Sequence, residues 1–228
     1  MGNENHEACT TMSVGLTSTN MQKSLAFYRD QLGFKLTESW PDDKAPMWMN
    51  LKLGEQSVMF GAAMSPEQAG DMCKGDERTM KFWTDKATAF QKNAPGVGVN
   101  IYIHVPDVDA YHAQVTQKKV NVSLPPKSQF YGLRDFVVSD PDGYTLTFFT
   151  NIKLENCQSC GMPLADAQPG QMYCEYCTDE KGKLQPYEKV FEGTVTGFFM
   201  NMQKMPRKDA EKAAREHLKK MPAWSAHS

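Results

Sequence analysis

No stretch of the chain is apolar for long enough to cross a membrane, and the first twelve residues lack the apolar segment of an export signal. Charge of one sign is missing as well. The formal net charge is −2 over 228 residues, which offers nucleic acid or an anionic membrane no footprint. Histidine is scarce, with 5 in the chain. No Ser/His/Asp set, phosphate loop or nucleophile with an evident base can be assembled. The chain opens Met-Gly, but His6 stands where N-myristoylation needs Ser or Thr. These absences lead to the expectation of a cytoplasmic protein with a frayed tail, Met1 to Met12. In a reducing cytosol, paired cysteines more often hold metal than form disulfides.

What is present suits a globular chain. Forty per cent of residues are hydrophobic and 23% are charged, enough to bury a core. The 15 methionines are read as core filling.

The pattern from Ser13 onward suggests a repeated unit. A short strand runs to Thr17, Asn20 caps a helix over Met21 to Leu32, and Gly33 stops it. Phe34 to Trp40, Met47 to Leu53 and Ser57 to Gly61 then read as strands, the last two joined by a tight turn at Gly54-Glu55. The same β-α-β-β-β order returns with a strand over Val99 to Val105 and a helix from Asp107 to Lys119. A strand over Val120 to Leu124 follows, then a hairpin of Leu133 to Ser139 with Tyr144 to Thr150. Asp140-Pro141-Asp142-Gly143 supplies its turn. Asn20 and Asp107 are 87 residues apart, and Met59 and Thr147 are 88 apart, so the two units keep register to one residue. Met64 to Pro95 lies between them and reads as a linker in preference to a lid.

After Thr150 the pattern breaks. Cys157-x-x-Cys160 and Cys174-x-x-Cys177 form two knuckles thirteen residues apart. Each knuckle aims two sulfurs at one point, and two of them make the tetrahedron that zinc accepts. Four protein ligands leave no open position, so one structural Zn²⁺ per chain is expected in preference to a redox dithiol or disulfides. Cys9 and Cys73 read as free thiols. Two helices follow, over Glu188 to Gln203 and Arg207 to Lys220. Lys204 to Lys220 holds seven Lys or Arg against three acids, a surplus that more often serves solvation than nucleic acid.

The run Cys157-Gln158-Ser159-Cys160-Gly161-Met162-Pro163-Leu164 resembles the opening of a zinc-ribbon domain, and the likeness extends to Pro222-Ala223-Trp224. The repeat resembles the vicinal oxygen chelate superfamily, the glyoxalase, bleomycin-resistance and dioxygenase fold. It does so through the stretch from Asn20 to Phe34, through Asp140 to Phe148, and through Val105 to Asp109 and Tyr131 to Arg134. The expected architecture is therefore α+β. Paired βαβββ modules over residues 12–150 form a cup-shaped sheet, and a small four-cysteine zinc ribbon with a helical tail occupies 157–224.

In metal-dependent members of that superfamily, His or Glu reaches one divalent ion from four strand positions. The resemblance maps these positions to Ser13, Met59, Asn100 and Thr147, none of which is a good ligand for such an ion. The expectation is a metal-free cup that binds a small organic molecule of aromatic or amphipathic character. Ser13, Met59, Asn100, Tyr102, His104, Arg134, Thr147 and Phe149 are the candidate ligand-binding residues, with Trp48, Phe130 and Tyr131 near the rim. His104 and His112 also have the simpler reading of structural histidines. Asp140 and Asp142 have that of turn residues. A homodimer is expected, because proteins of this fold commonly pair their modules across an interface. Two other readings stand beside binding: a metal-dependent lyase, isomerase or dioxygenase of the same fold, and an interaction protein acting through the ribbon and its basic tail helix.

Overall fold

Two acceptor side chains start the two repeated units. Asn20 accepts a hydrogen bond from the Lys23 amide, and Asp107 accepts from those of Asp109 and Ala110. Each satisfies amides that a first helical turn leaves unpaired, which is why both helices begin where they do. The computed structural model describes residues 13–93 and 95–225. The tail Met1 to Met12, with Cys9, lies outside them.

The first module is β1 (Val14–Ser18), α1 (Met21–Leu25), β2 (Lys35–Trp40), β3 (Trp48–Leu53) and β4 (Gln56–Ala62). Helix α1 continues as a π-wound stretch, Ala26–Gln31. The second module is β5 (Asn100–His104), α4 (Val108–Gln117), β6 (Val122–Ser128), β7 (Leu133–Ser139) and β8 (Thr145–Asn151). The sheets run β1-β4-β3-β2 and β5-β8-β7-β6, the same order twice. The repeat inferred from spacing is therefore a repeat of topology. Strand β1 lies parallel to β4 with Gly15 opposite Met59 and Thr17 opposite Gly61, and β3 lies antiparallel to β4 with Trp48 opposite Gly61.

One core joins the modules. Leu25, Tyr28, Leu32, Met49, Leu51 and Phe60 of the first are buried in the same cluster as Val108, Val115, Phe136, Leu146 and Phe148 of the second. The β7–β8 turn fastens them. Asp142 accepts from the Thr19 amide at 2.9 Å, from the Thr19 hydroxyl, and from the Ser24 hydroxyl at 3.1 Å. Asp140 accepts from the Tyr28 hydroxyl at 3.0 Å and from the amides of Asp142 and Tyr144. Burial pushes the Asp140 carboxyl above its ordinary value and lifts the Tyr28 phenol well above its own. The two acids are structural, as turn chemistry implied.

Between the modules the chain is not an extended connection. It folds into a helical hairpin, α2 (Pro66–Met72) and α3 (Glu77–Lys92). Ser65 and Gln68 cap α2 reciprocally, and Asp76 caps α3. A charged, Pro- and Gly-bearing sequence hid these helices, because its apolar residues Phe82 and Trp83 stay half exposed instead of marking a buried stripe.

Contacts divide the chain into two units. One runs to Pro126 and takes back Phe136–Phe148; the other holds Lys127–Asp135 and the chain from Phe149 onward. The second unit contains a 3-10 turn (Glu175–Cys177), α5 (Tyr187–Gly193) continuing as a π-wound stretch Thr194–Met202, and α6 (Arg207–Leu218). Val195 and Phe199 pack on Ala210 and Ala214, while Phe198 and Met202 turn outward. The π winding changes the face that a purely α-helical spacing would bury. No helix among the described residues is long and apolar enough to cross a membrane.

Candidate metal centre and ligand faces

The four paired cysteines converge. Their sulfurs all lie within 4.8 Å of one another, and those of Cys160 and Cys174 are 3.6 Å apart. A tetrahedral site with metal–sulfur bonds of about 2.3 Å has edges of roughly 3.8 Å, so the donor set fits one tetrahedral ion. The cysteines are free of disulfides. The backbone builds the knuckles. The Gly161 amide donates to the Cys157 carbonyl at 2.8 Å, the Cys177 amide to the Cys174 carbonyl at 3.0 Å, and the Cys174 amide to the Cys157 sulfur at 3.3 Å. Gly161 sits at φ 76°, where a side chain would be strained and would also press on His217 and Met221.

Around the sulfurs lies a small core. Val190, Leu218 and Trp224 are buried with the cysteines. The Trp224 indole donates to the Ser159 carbonyl at 3.0 Å, and His217 Nε2–H donates to the Cys160 carbonyl at 2.8 Å. Hydrogen bonds from the Cys160 and Cys177 thiols hold Cys157 far below the ordinary thiol value. The same bonds push Cys160 up to about 12 and also raise Cys177. Such sharing of protons is how close sulfurs limit their mutual charge, and a dication performs that task for all four thiolates. Charge on the tail helix is partly consumed internally: Arg207 pairs with Glu192 and Glu211, and Arg215 lies over the Phe191 ring at 4.7 Å.

The ligand candidates of the modules are placed differently. Met59 is half-buried on β4, level with Gly15 on one side and Asn50 on the other. Ser13 is exposed just ahead of β1. On this outer face, a row of polar groups runs across three strands. The Ser57 hydroxyl donates to Asn50 Oδ1 at 2.6 Å, and Asn50 Nδ2 donates to the Thr37 hydroxyl at 3.0 Å. Gly15 and Gly61 leave open space where a Cβ would stand, and Trp48 flanks Gly61.

On the second sheet, Thr147 is buried and its hydroxyl donates to Asn100 Oδ1 at 2.9 Å. Two of the four positions thus bond to each other. Tyr102 is 54% exposed on β5. His104, at the end of that strand, lines a cavity of about 430 Å³ with Leu32, Gly54, Asp107, Tyr111 and Gln114, beside the start of α4. Phe149 is half-buried on β8.

Arg134 is half-buried on β7 and shares strand parity with Phe136 and Val138. Its neighbour Asp135 has the opposite parity and is 6% exposed, held by Gln129 Nε2 at 2.8 Å and the Tyr131 hydroxyl at 3.4 Å. Ser13 and Met59 belong to the outer face of the first sheet, and Asn100, Tyr102 and Thr147 to that of the second. Asn50 could have been found from hairpin register alone, since it stands opposite Met59. Asp135 carried no signal, because an acid within a strand is ordinarily solvated.

Residues 11–148 match the model described as the glyoxalase/bleomycin resistance protein/dioxygenase superfamily, and residues 156–225 match a zinc ribbon domain. No match was found among curated proteins. Among solved structures, TioX from Micromonospora sp. ML1 is similar at 20% identity, covering 62% of this chain and 98% of that one, with a TM-score of 0.44. TnmS3, described as an antibiotic binding protein from Streptomyces sp. CB03234, is similar at 21% identity, covering 63% and 97%, with a TM-score of 0.43. A bleomycin resistance determinant encoded on the transposon Tn5 is similar at 18%, covering 63% and 98%, with a TM-score of 0.41.

Proposed function

The chain belongs to the glyoxalase/bleomycin resistance protein/dioxygenase superfamily, and from that premise we propose that it binds a small organic molecule on the outer faces of its sheets, without a catalytic metal there. The observation that carries this reading is the chemistry of four positions. Ser13, Met59, Asn100 and Thr147 offer a hydroxyl, a thioether, an amide and a second hydroxyl, a weak set for a divalent ion. Two of them are already bonded to each other. What surrounds them suits an organic ring. Gly15 and Gly61 leave a bare strip of backbone, Trp48 stands beside it, and Asn50 offers its amide. The facing half brings Tyr102. A planar aromatic or amphipathic ligand would gain on the order of 1 kcal/mol from each good stack beyond area burial.

The working form is a homodimer. Both half-sites lie near a sheet edge, on β1–β4 and on β5–β8. Setting the β1 edge of one copy against the β5 edge of the other closes one cup, and two-fold symmetry closes a second. Zinc supports the construction from the ribbon, where Cys157, Cys160, Cys174 and Cys177 hold one ion with no position left for chemistry. We place the protein in the cytoplasm, where these thiols stay reduced. A thermal-shift screen of aromatic and amphipathic compounds on wild type, Trp48→Ala and Tyr102→Ala tests the reading. Hits should stabilise wild type and lose most of their effect in both variants. Equal stabilisation of all three proteins would place the site elsewhere.

A further inference from the structure

The two modules differ by one residue, and that residue lies in a turn. Core residues Leu51 and Val138 are 87 apart, while Phe60 and Phe148 are 88 apart. In the first module, Gly54-Glu55 joins Leu53 directly to its strand partner Gln56. In the second, Pro141-Asp142-Gly143 stands between Asp140 and Tyr144, and the Asp140 amide donates to the Tyr144 carbonyl at 2.9 Å. The longer turn plugs the space at the start of α1. Asp142 accepts from the Thr19 amide and the Ser24 hydroxyl, and the Tyr144 hydroxyl donates to the Thr17 carbonyl. The first module lacks the extra residue, and exposed Gln56 stands where the second has Tyr144. At the start of α4, the corresponding space is the cavity of about 430 Å³. Trp48, Met59 and Tyr102 of the outer faces do not line it.

What fits there follows from what has replaced the partners of the plug. At 87 residues from Thr19 and Ser24 stand Pro106 and Tyr111. Pro106 has no amide hydrogen, and the Tyr111 hydroxyl is committed to the Leu32 carbonyl at 2.7 Å. An anion would therefore miss the donors that hold Asp142 in the other module. The floor is apolar, with Leu32 and Val105 buried and Leu53 half-buried. Asp107 supplies a carboxylate at the wall. Its Oδ1 accepts the amides of Asp109 and Ala110, which leaves Oδ2 for another donor.

We propose that this cavity is a second ligand site, which takes a small one-ring amine. The ring lies on Leu32, Leu53 and Val105, and the ammonium group donates to Asp107 Oδ2. A cavity of about 150 Å³ already holds a benzene ring, so a ring with a short arm fits the space. An apolar body with one charged anchor is the usual composition of such sites. The site stands whether or not the outer faces bind their own ligand.

The test titrates benzylamine into the full chain and follows the backbone amide signals by NMR. The signals of Gly54, Ala110 and Gln114 should move together, with a Kd on the order of 1 mM. Asp107→Asn removes the charge and keeps a helix cap, as Asn20 caps α1. It should weaken benzylamine about tenfold and leave benzyl alcohol, the uncharged analogue, unchanged. Ala110→Leu fills the cavity from an exposed helical position and should abolish binding of both. Benzoate tests the opposite charge, since the Lys118 ammonium lies beside Gly33 at one edge. Equal benzylamine affinity in wild type and Asp107→Asn overturns the proposal, as does tighter binding of benzoate than of benzylamine. So do signals that move only on the strands of the outer faces, or unaltered binding to a folded Ala110→Leu protein. If Ala110→Leu loses its fold, the comparison of wild type with Asp107→Asn decides.

Discussion

Removing one sulfur should dismantle the ribbon. Cys174 is buried, donates its amide to the Cys157 sulfur, and pairs closely with Cys160. In Cys174→Ser, a hydroxyl replaces the thiolate, and a three-sulfur site with a poor fourth ligand remains. The magnitude follows from what else holds this part together. Besides cysteines, the cluster fully buries Val190, Leu218 and Trp224 among the described residues, with Leu164, Leu184, Tyr187, Phe191 and Met221 partly buried against it. At about 1.5–3 kcal/mol for each fully buried side chain, the first three contribute on the order of 5–9 kcal/mol. A structural zinc site of this type contributes about 10–16 kcal/mol to folding. The metal therefore contributes more than the three fully buried side chains together. Trp224 supplies the assay, because it is 6% exposed while Trp40 and Trp83 are half exposed or more. Cys174→Ser, or wild type treated with a strong chelator, should lose the blue component of tryptophan emission, and proteolysis should degrade the region after Asn151 first. A Cys174→Ser protein that keeps both its blue emission and its protease resistance would refute the reasoning.

Other outcomes follow from the same contacts. Elemental analysis of the purified protein should find about one zinc per chain, and two or more tightly held metals would contradict both the closed ribbon site and the metal-free cup. Asp142→Ala leaves the Thr19 amide and the Ser24 hydroxyl without their acceptor. At about 1–3 kcal/mol for the buried Ser24 donor, with less for the exposed Thr19 amide, it should lower stability by roughly 1–3 kcal/mol, measured by urea unfolding. Burial raises Asp140 in the folded state, so the stability it contributes is fully present below the ordinary carboxyl value of about 3.9 and is lost as pH rises through the raised folded value. Asp140→Asn stays neutral and keeps an oxygen for the turn amides, so its melting temperature should gain on wild type as pH rises from about 4 to 7; a pH-independent difference would contradict this. Sedimentation should give about twice the 25.7 kDa chain mass at micromolar concentration, and a stable monomer would count against the dimer.

Much of the fold was legible because each unit announces its own ends. Asn20 and Asp107 mark helix starts by chemistry, and the Asp140-Pro141-Asp142-Gly143 turn marks a hairpin. The cysteine cluster was legible for a similar reason, since two short motifs fix their own geometry. The ligand faces were less so. Strand alternation identifies which residues share a face, yet it does not say whether two faces meet.

The central claim is that the outer faces bind an organic ligand, and Gly61→Val tests it most directly. Gly61 lies in a strand with no neighbour where a Cβ would stand, so valine should leave the fold intact while filling the bare strip beside Trp48. Equilibrium titration of a compound that stabilises wild type should give one site per chain, two per dimer, with binding weakened at least about tenfold in Gly61→Val, a loss of about 1.4 kcal/mol. Equal affinity for the two proteins, or turnover of a hemithioacetal by wild type at an enzyme-like rate, would contradict the account.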